Sequence, residues 1–208
     1  MAAPITHVVL ADRAFSHFFS DKDRAAFFVG TSFPDIRRLA KIQREKVHFT
    51  NFSLADITTS NSFFAGLKFH SVVDSLSKRF YRDTDLFSLF PESRFVKEAA
   101  ELFVDRVLYA RIVDWEKIAG YFDRIYPEEL TYGVKEEAVW TWHQNLARYF
   151  MGDINNEAGL KNLILGNGNA EDTVDEMTKV SKQVKDKARA ESLVLDFYSD
   201  FANLVNKS

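Results

Sequence analysis

Apolar residues recur at helical spacing along almost the whole chain, whereas alternating, β-branched runs between hairpin turns are hard to find. The pattern predicts an all-α fold. With 208 residues, 46% of them hydrophobic, the chain can bury one sizeable core. We therefore expect a single helical domain over residues 1–208.

Helix bounds follow from the apolar spacing together with capping and breaking residues. Thr6 is predicted to cap the first helix, Pro34 to end the second firmly, and residues 43–59, which lack periodicity, to form a surface loop. The sequence GNGNA at 166–170 predicts a turn. The predicted helices run approximately over Thr6 to Phe19, Ser20 or Asp21 to Val29, Ile36 to Ile42, Ser60 to Tyr81, Glu92 to Arg111, Asp114 to Arg124, Lys135 to Met151, Glu157 to Leu165, and Glu171 to Asn206 with at most one break.

The overall charge excludes some classes of partner. A net charge of -3 and a pI near 6.0 give no general affinity for nucleic acid or an anionic membrane, although Arg37, Arg38 and Lys41 could form a local basic patch. The amino-terminal sequence MAAPITHVVLADRAF lacks the features of a secretory signal, and no segment is predicted to span a membrane. We expect a soluble, cytoplasmic protein.

The stretch FFAGLKFHSVVD, residues 63–74, places His70 and Asp74 one helical turn apart on the apolar side of a helix. A buried carboxylate needs a partner, and Gly66 leaves space beside the pair. The simplest interpretation is a hydrogen bond from the His70 imidazole to the Asp74 carboxylate or to a backbone group. Because the chain has no cysteine, any metal ion would instead be bound by His, Asp or Glu.

Other candidate ligands have simpler interpretations of their own. His7 lies on the apolar stripe of the first helix, and Asp35 follows Pro34, where it could serve as N-cap of the helix beginning at Ile36. His48, in the sequence VHF, could be an ordinary loop histidine, and His143 shares a stripe with core residues. Together, however, Asp35, His48, His70 and Asp74 would supply two nitrogens and two oxygens, which suits Zn²⁺ or another transition ion.

Four segments, ITHVVLADRAF, FFVGTSFPDIR, VHF and FFAGLKFHSVVD, resemble in this order the bacterial zinc-dependent phospholipase C family, whose helical fold is shared with single-strand-specific nucleases. Matched by residue, the family's ligands fall on His7, Asp35, His48, His70 and Asp74. The resemblance covers residues 1–83, and residues 84–208 form a divergent helical remainder. It implies a helical bundle of that fold.

The chain departs from the family's three-zinc pattern. It begins with Met1, no histidine follows Asp74 in SLSKRFYRDTDLF, and His143 is followed one turn later by Ala147 and not by a carboxylate. The residues therefore support one ion, or two with His7 at the second.

The resemblance implies a metal-dependent hydrolase of a phosphate ester. An ion would activate water, with Asp12 as a candidate base and Arg37 or Arg38 holding the phosphate. The alternative is a non-catalytic helical interaction or scaffold protein that retains a structural ion or merely a polar cluster.

Overall fold

The computed structural model describes residues 3–50, 53–152 and 170–207. Every regular element in these ranges is helical and none is a β-strand, which confirms the predicted all-α fold. Short 3₁₀ helices lie at Phe33–Ile36, Arg44–Lys46 and Leu86–Leu89. The α-helices are α1 (Pro4–Phe18), α2 (Arg24–Ser32), α3 (Arg37–Ala40), α4 (Leu54–Thr58), α5 (Ser62–Asp83), α6 (Val96–Tyr109), α7 (Trp115–Gly120), α8 (Pro127–Leu130), α9 (Glu136–Met151), α10 (Ala170–Lys182) and α11 (Lys187–Asn206).

Helix α1 begins at Pro4, so Thr6 lies inside it and is not the predicted N-cap. Proline suits the first turn, where its missing N–H has no helical acceptor. The buried carboxylate of Asp105, on α6, accepts hydrogen bonds from the backbone nitrogens of Ile5 at 3.2 Å and Thr6 at 2.7 Å, and from the Thr6 hydroxyl at 2.6 Å. A residue about a hundred positions away therefore fixes the amino end of α1.

Pro34 does not break the helical path, contrary to the prediction. It is the second residue of the 3₁₀ helix that directly continues α2, and α3 follows without a gap. Here too the proline occupies a first turn, where its fixed φ is compatible with helical backbone. The start of α2 also differs from the prediction, because Asp23 is its cap and accepts from the backbone nitrogen of Ala26 at 2.7 Å.

The predicted loop at residues 43–59 contains two short helical segments, Arg44–Lys46 and α4. Ser53 and Asp56 form a capping box at the start of α4, in which the Asp56 carboxylate accepts from the Ser53 backbone nitrogen at 2.7 Å. Helices of three to five residues are too short to show an apolar period, which explains why the pattern missed them.

The long carboxyl-terminal segment is broken once, between α10 and α11, as predicted. Lys185, in the break, donates its backbone N–H to the carbonyl oxygen of Leu89 at 2.8 Å.

The predicted helix at Glu157 to Leu165 and residues 166–169 of the predicted turn lie outside the described ranges. Ala170, the last residue of that predicted turn, begins α10.

Helices α2 and α5 pack in parallel and in register. Contacts between them recur every four residues along each helix, with partners 39 residues apart: Asp23 with Ser62, Phe27 with Gly66, and Thr31 with His70. The backbones approach this closely only because Gly66 has no side chain, since a Cβ there would overlap the carbonyl oxygen of Phe27. The register brings the Thr31 carbonyl to His70.

One hydrophobic core, rich in phenylalanine, joins the amino- and carboxyl-terminal helices. Phe69 of α5 packs its ring against Phe27 of α2 at a centroid distance of 5.6 Å and against Phe201 of α11 at 6.2 Å. Within the described ranges, no helix combines the length and apolarity that crossing a membrane demands.

Candidate metal centre

All five predicted ligands converge where the carboxyl-terminal end of α2 meets the middle of α5. His7, His70 and Asp74 form one group and Asp35, His48 and His70 a second, and within each group one potential ligand atom per residue lies within 4.8 Å of the others. His70 belongs to both groups. The structure therefore brings together residues that the sequence separates by up to 67 positions.

Three atoms form a compact triangle. The Nε2 atoms of His48 and His70 are 3.2 Å apart, and Asp74 Oδ2 lies 3.6 Å from the first and 3.7 Å from the second. Neighbouring ligand atoms in a tetrahedral zinc site are separated by about 3.3–3.4 Å. The point in the plane of the three atoms that is equidistant from them lies about 2.0 Å from each, within the range of zinc–nitrogen and zinc–oxygen bonds. The triangle therefore has the dimensions of a transition-metal site.

The ring of His70 is oriented by a backbone contact. Its Nδ1 lies 2.9 Å from the carbonyl oxygen of Thr31, and because a carbonyl only accepts, Nδ1 carries the hydrogen and donates it. In the neutral ring Nε2 then holds the lone pair and points at the cluster, which is how a metal-binding histidine is usually held. Of the two hydrogen bonds considered from the sequence, the one to a backbone group is therefore formed. The one to Asp74 is not, because 3.7 Å is too long for a hydrogen bond.

Asp35 is not a helix cap either. It lies inside the 3₁₀ helix Phe33–Ile36, and the residue at the N-cap position of α3 is Ile36, whose side chain makes no capping bond. The Asp35 carboxylate instead acts on His48 and His70 as a nearby negative charge. Its role is therefore in the cluster.

His7 reaches the cluster from α1 and stacks on His70, with ring centroids 3.9 Å apart. Its Nε2 lies 3.5 Å from Asp74 Oδ1. Among the described residues, neither ring nitrogen of the buried His7 nor Nδ1 of His48 has a hydrogen-bond partner. Leaving a buried polar atom unsatisfied costs about 1–3 kcal/mol, so coordination of an ion by His7 Nε2 would offset an existing cost.

Burial and neighbouring charges favour the neutral imidazoles of His48 and His70 and the ionised carboxylate of Asp74, as metal binding requires. Burial lowers the pKa of His70 to about 3, and the neighbouring His7 contributes. Burial lowers the pKa of His48, which the charges of Arg44 and Arg37 lower further. Burial alone would raise the pKa of Asp74, but the contact with His7 and the nearby His70 outweigh it and hold that pKa below its usual range.

The contact between His70 and Thr31 limits the number of ions that His70 serves. Its Nδ1 is occupied by the Thr31 carbonyl, so only Nε2 can coordinate, and one lone pair binds one ion. Both groups of three include His70. His70 can therefore serve only one of them at a time.

Two arginines border the cluster. Arg44, whose side chain is 52% exposed, places an Nη atom 3.7 Å from Asp74 Oδ2, whereas the Asp74 side chain itself is only 11% exposed. Arg37, predicted to hold phosphate, is close enough for its charge to lower the pKa of His48. Asp12, the candidate base, contacts Arg24 at the start of α2. Arg44 was not singled out from the sequence, although it precedes His48 by one turn.

A second buried pair lies away from the cluster and was also missed. His143 Nε2 is 2.8 Å from Glu129 Oε1, and its Nδ1 is 3.0 Å from the carbonyl oxygen of Phe122. Both residues are at most 1% exposed. The sequence predicted His143 as a core residue, and it is buried. Because both of its ring nitrogens are occupied, it has none left to coordinate an ion.

The fold and this centre together define an all-α protein with a candidate site for a transition ion. No protein-family model, curated protein or solved structure matches the chain. The resemblance to the phospholipase C family therefore stays a prediction carried by the four segments quoted above.

Proposed function

We propose that this protein binds one divalent transition ion, zinc in the first instance, and uses it to hydrolyse phosphate esters. The observation that supports the proposal best is the triangle of His48 Nε2, His70 Nε2 and Asp74 Oδ2, whose edges of 3.2, 3.6 and 3.7 Å suit a single ion. Catalytic zinc sites typically have three such protein ligands and one open position. Two imidazoles and one carboxylate are a donor set that zinc accepts readily.

The surrounding residues suit chemistry on a phosphate. A bound ion would polarise a phosphoryl oxygen and make water a better nucleophile at neutral pH. Arg44 and Arg37 would hold the remaining phosphate oxygens, since guanidinium groups pair with phosphate in two-pronged contacts. Asp35 is the better candidate to accept a proton from water, because it lies at the cluster, whereas the carboxylate of Asp12 contacts Arg24.

Metal content is the first test. We expect the purified protein to contain zinc or another transition ion at near one per chain by mass spectrometry, and the variants His70→Ala and Asp74→Asn to lose it. His17→Ala is the matched control, because His17 is an exposed histidine on the same helix as His7. Chelation should lower the Tm of the wild type and not that of His70→Ala, because an ion bound to the native state stabilises it.

Activity is the second test. The zinc-loaded protein is expected to hydrolyse p-nitrophenyl phosphate or bis(p-nitrophenyl) phosphate, and His70→Ala to show no hydrolysis above buffer. Absence of metal from the wild type, with none taken up on titration, would refute the proposal at its first step.

A structural ion is the second candidate function, and His7 favours it. As a fourth protein donor, His7 could complete a closed site, which is the arrangement of structural zinc ions. In that case chelation lowers the Tm while zinc-loaded protein hydrolyses neither ester. The protein would then act as a helical scaffold.

A further inference from the structure

Of the three residues in the triangle, His48 alone lies outside a helix. His70 and Asp74 are both on α5, one turn apart, so helical geometry fixes their relative positions. Residues 48–50 have no regular secondary structure. The place of His48 at the centre therefore depends on contacts that its own segment makes.

Outside the cluster, no hydrogen bond orients the ring of His48. Among the described residues its Nδ1 has no partner, although the side chain is only 6% exposed. In contrast, Nδ1 of His70 donates to the carbonyl oxygen of Thr31 at 2.9 Å. The two histidines are therefore positioned in different ways, His70 through its ring and His48 through its backbone.

Backbone hydrogen bonds lie on both sides of the His48 side chain. The His48 nitrogen donates to the carbonyl oxygen of Arg44 at 2.9 Å, within the same short segment. The nitrogen of Phe49 donates to the hydroxyl oxygen of Ser71, also at 2.9 Å. Ser71 is buried and directly follows His70 on α5. The helical turn that carries two of the three ligands thus also binds the segment that carries the third.

We infer that Ser71 is a positioning residue of the metal centre, whose hydroxyl holds residues 48–50 against α5 and so keeps His48 Nε2 in place. The inference rests on the ion binding in the proposed function and not on hydrolysis. Without the hydroxyl, the Phe49 N–H loses its acceptor, and His48 has to be ordered when the ion binds. Ordering a backbone segment costs conformational entropy, so the affinity for zinc falls although every donor atom is still present.

Zinc affinity, measured by competition with a chromophoric chelator, tests this role without any turnover. We expect Ser71→Ala to bind zinc about tenfold more weakly than the wild type, the lower end of the effect of residues that orient metal ligands. Ser77→Ala is the matched control, because Ser77 is also a buried serine of α5 and its hydroxyl has no hydrogen-bond partner among the described residues. It should bind zinc as the wild type does. Alanine favours helix, so both variants should fold.

Cobalt distinguishes a displaced ligand from a general loss of stability. A site of imidazole and carboxylate donors also accepts Co²⁺, whose visible absorption is stronger with four ligands than with five or six. We expect the bands of cobalt-loaded Ser71→Ala to be weaker than those of the wild type, because water replaces the displaced His48. Ser77→Ala should give the wild-type spectrum.

The positioning role is overturned if Ser71→Ala keeps the wild-type zinc affinity, or if Ser77→Ala weakens zinc binding equally. A lower affinity with an unchanged cobalt spectrum would also overturn it, because the ligands would then keep their arrangement without the hydroxyl.

Failure of the positioning role can be told apart from failure of the proposed function. If the wild type binds no metal, both fail. If the wild type binds zinc and hydrolyses neither ester, the hydrolase fails and the role of Ser71 is still decided by the zinc affinities. If the wild type is an active zinc hydrolase and Ser71→Ala binds zinc normally, only the positioning role fails.

Discussion

Gly30 of α2 and Gly66 of α5 each face a carbonyl oxygen of the opposite helix at the point where a side chain would begin. The backbones of the two helices are therefore in direct contact. This contact sets the register in which the Thr31 carbonyl accepts from His70 Nδ1 at 2.9 Å. Two residues without side chains thus hold a candidate metal ligand in its coordinating orientation.

Adding one methyl group at either glycine should separate the helices. We expect Gly30→Ala and Gly66→Ala to lower the free energy of unfolding by roughly 2–4 kcal/mol, because the new Cβ meets backbone that cannot turn away. Urea denaturation measures the loss. Gly120→Ala is the control, since its Cβ would lie 3.8 Å from the nearest side-chain atom, Asp123 Oδ2. Equal stability of all three variants would contradict the close contact.

Asp105 should make stability depend on pH. Burial raises the pKa of Asp105 to about 6 from 3.8, although hydrogen bonds from Thr6, Ile5 and Tyr149 oppose the rise. The folded state thus binds the proton more tightly than the unfolded state. The contribution of Asp105 to the free energy of unfolding is therefore fully present below about pH 4 and is lost as the pH rises through about 6. The loss is up to about 3 kcal/mol.

The measurement is the free energy of unfolding of the wild type minus that of Asp105→Asn across this pH range. The difference should fall as pH rises. Asp200→Asn, which changes an exposed carboxylate, should show no such trend. A flat difference for Asp105→Asn would mean that the carboxyl titrates normally in the folded protein.

His143 and Glu129 should matter for stability and not for metal binding. Removing one partner leaves the other buried without its 2.8 Å contact. We therefore expect His143→Ala to lower the free energy of unfolding by about 3–5 kcal/mol. The zinc content of the folded variant should stay at the wild-type level. The double variant with His143→Ala and Glu129→Gln should lose less free energy of unfolding than the sum of the losses of the two single variants. Loss of zinc from His143→Ala would show that this pair also supports the centre.

The two candidate bases can be separated by one pair of variants. If the protein is a hydrolase, Asp35→Asn should lower kcat about 100-fold or more, the usual effect of removing a general base, with zinc still bound. Asp12→Asn should lower kcat less than about tenfold, because the Asp12 carboxylate is already paired with Arg24 at the start of α2. If Asp35→Asn loses zinc instead, Asp35 is a ligand. A larger effect of Asp12→Asn would restore Asp12 as the base.

Sequence alone predicted the helical class and the residues of the centre. His70 and Asp74 share one helix face, so their proximity follows from helical geometry. His48 and Asp35 lie in short segments before that helix, and they were selected as ligands by the combined donor set and by the resemblance, not by any periodicity. The sequence allowed a hydrogen bond from His70 to a backbone group, but it could not show that the acceptor is the Thr31 carbonyl, because a backbone acceptor leaves no mark in the sequence.

The residues that were missed depend on contacts over long distances in the chain. Asp105 meets Thr6 across 99 positions, and Glu129 meets His143 between two different helices. In the sequence, neither Asp105 nor Glu129 differs from the other polar residues of its own segment. Only the packing of separate helices makes them partners, and a single sequence carries no signal of that packing.

The hydrogen bonds between Asp105 and the start of α1 also decide whether the candidate ligands can be transferred to another protein. His7 lies one residue beyond Thr6, so its position at the centre is set by a carboxylate on a helix that supplies no candidate ligand. If residues 1–83 were grafted into another helical protein, Asp35, His48, His70 and Asp74 would still come together. His7 would lose the contact with Asp105 that fixes the position of α1. The placement of all five candidate ligands therefore depends on the whole folded chain, and conservation of these residues should extend to Asp105.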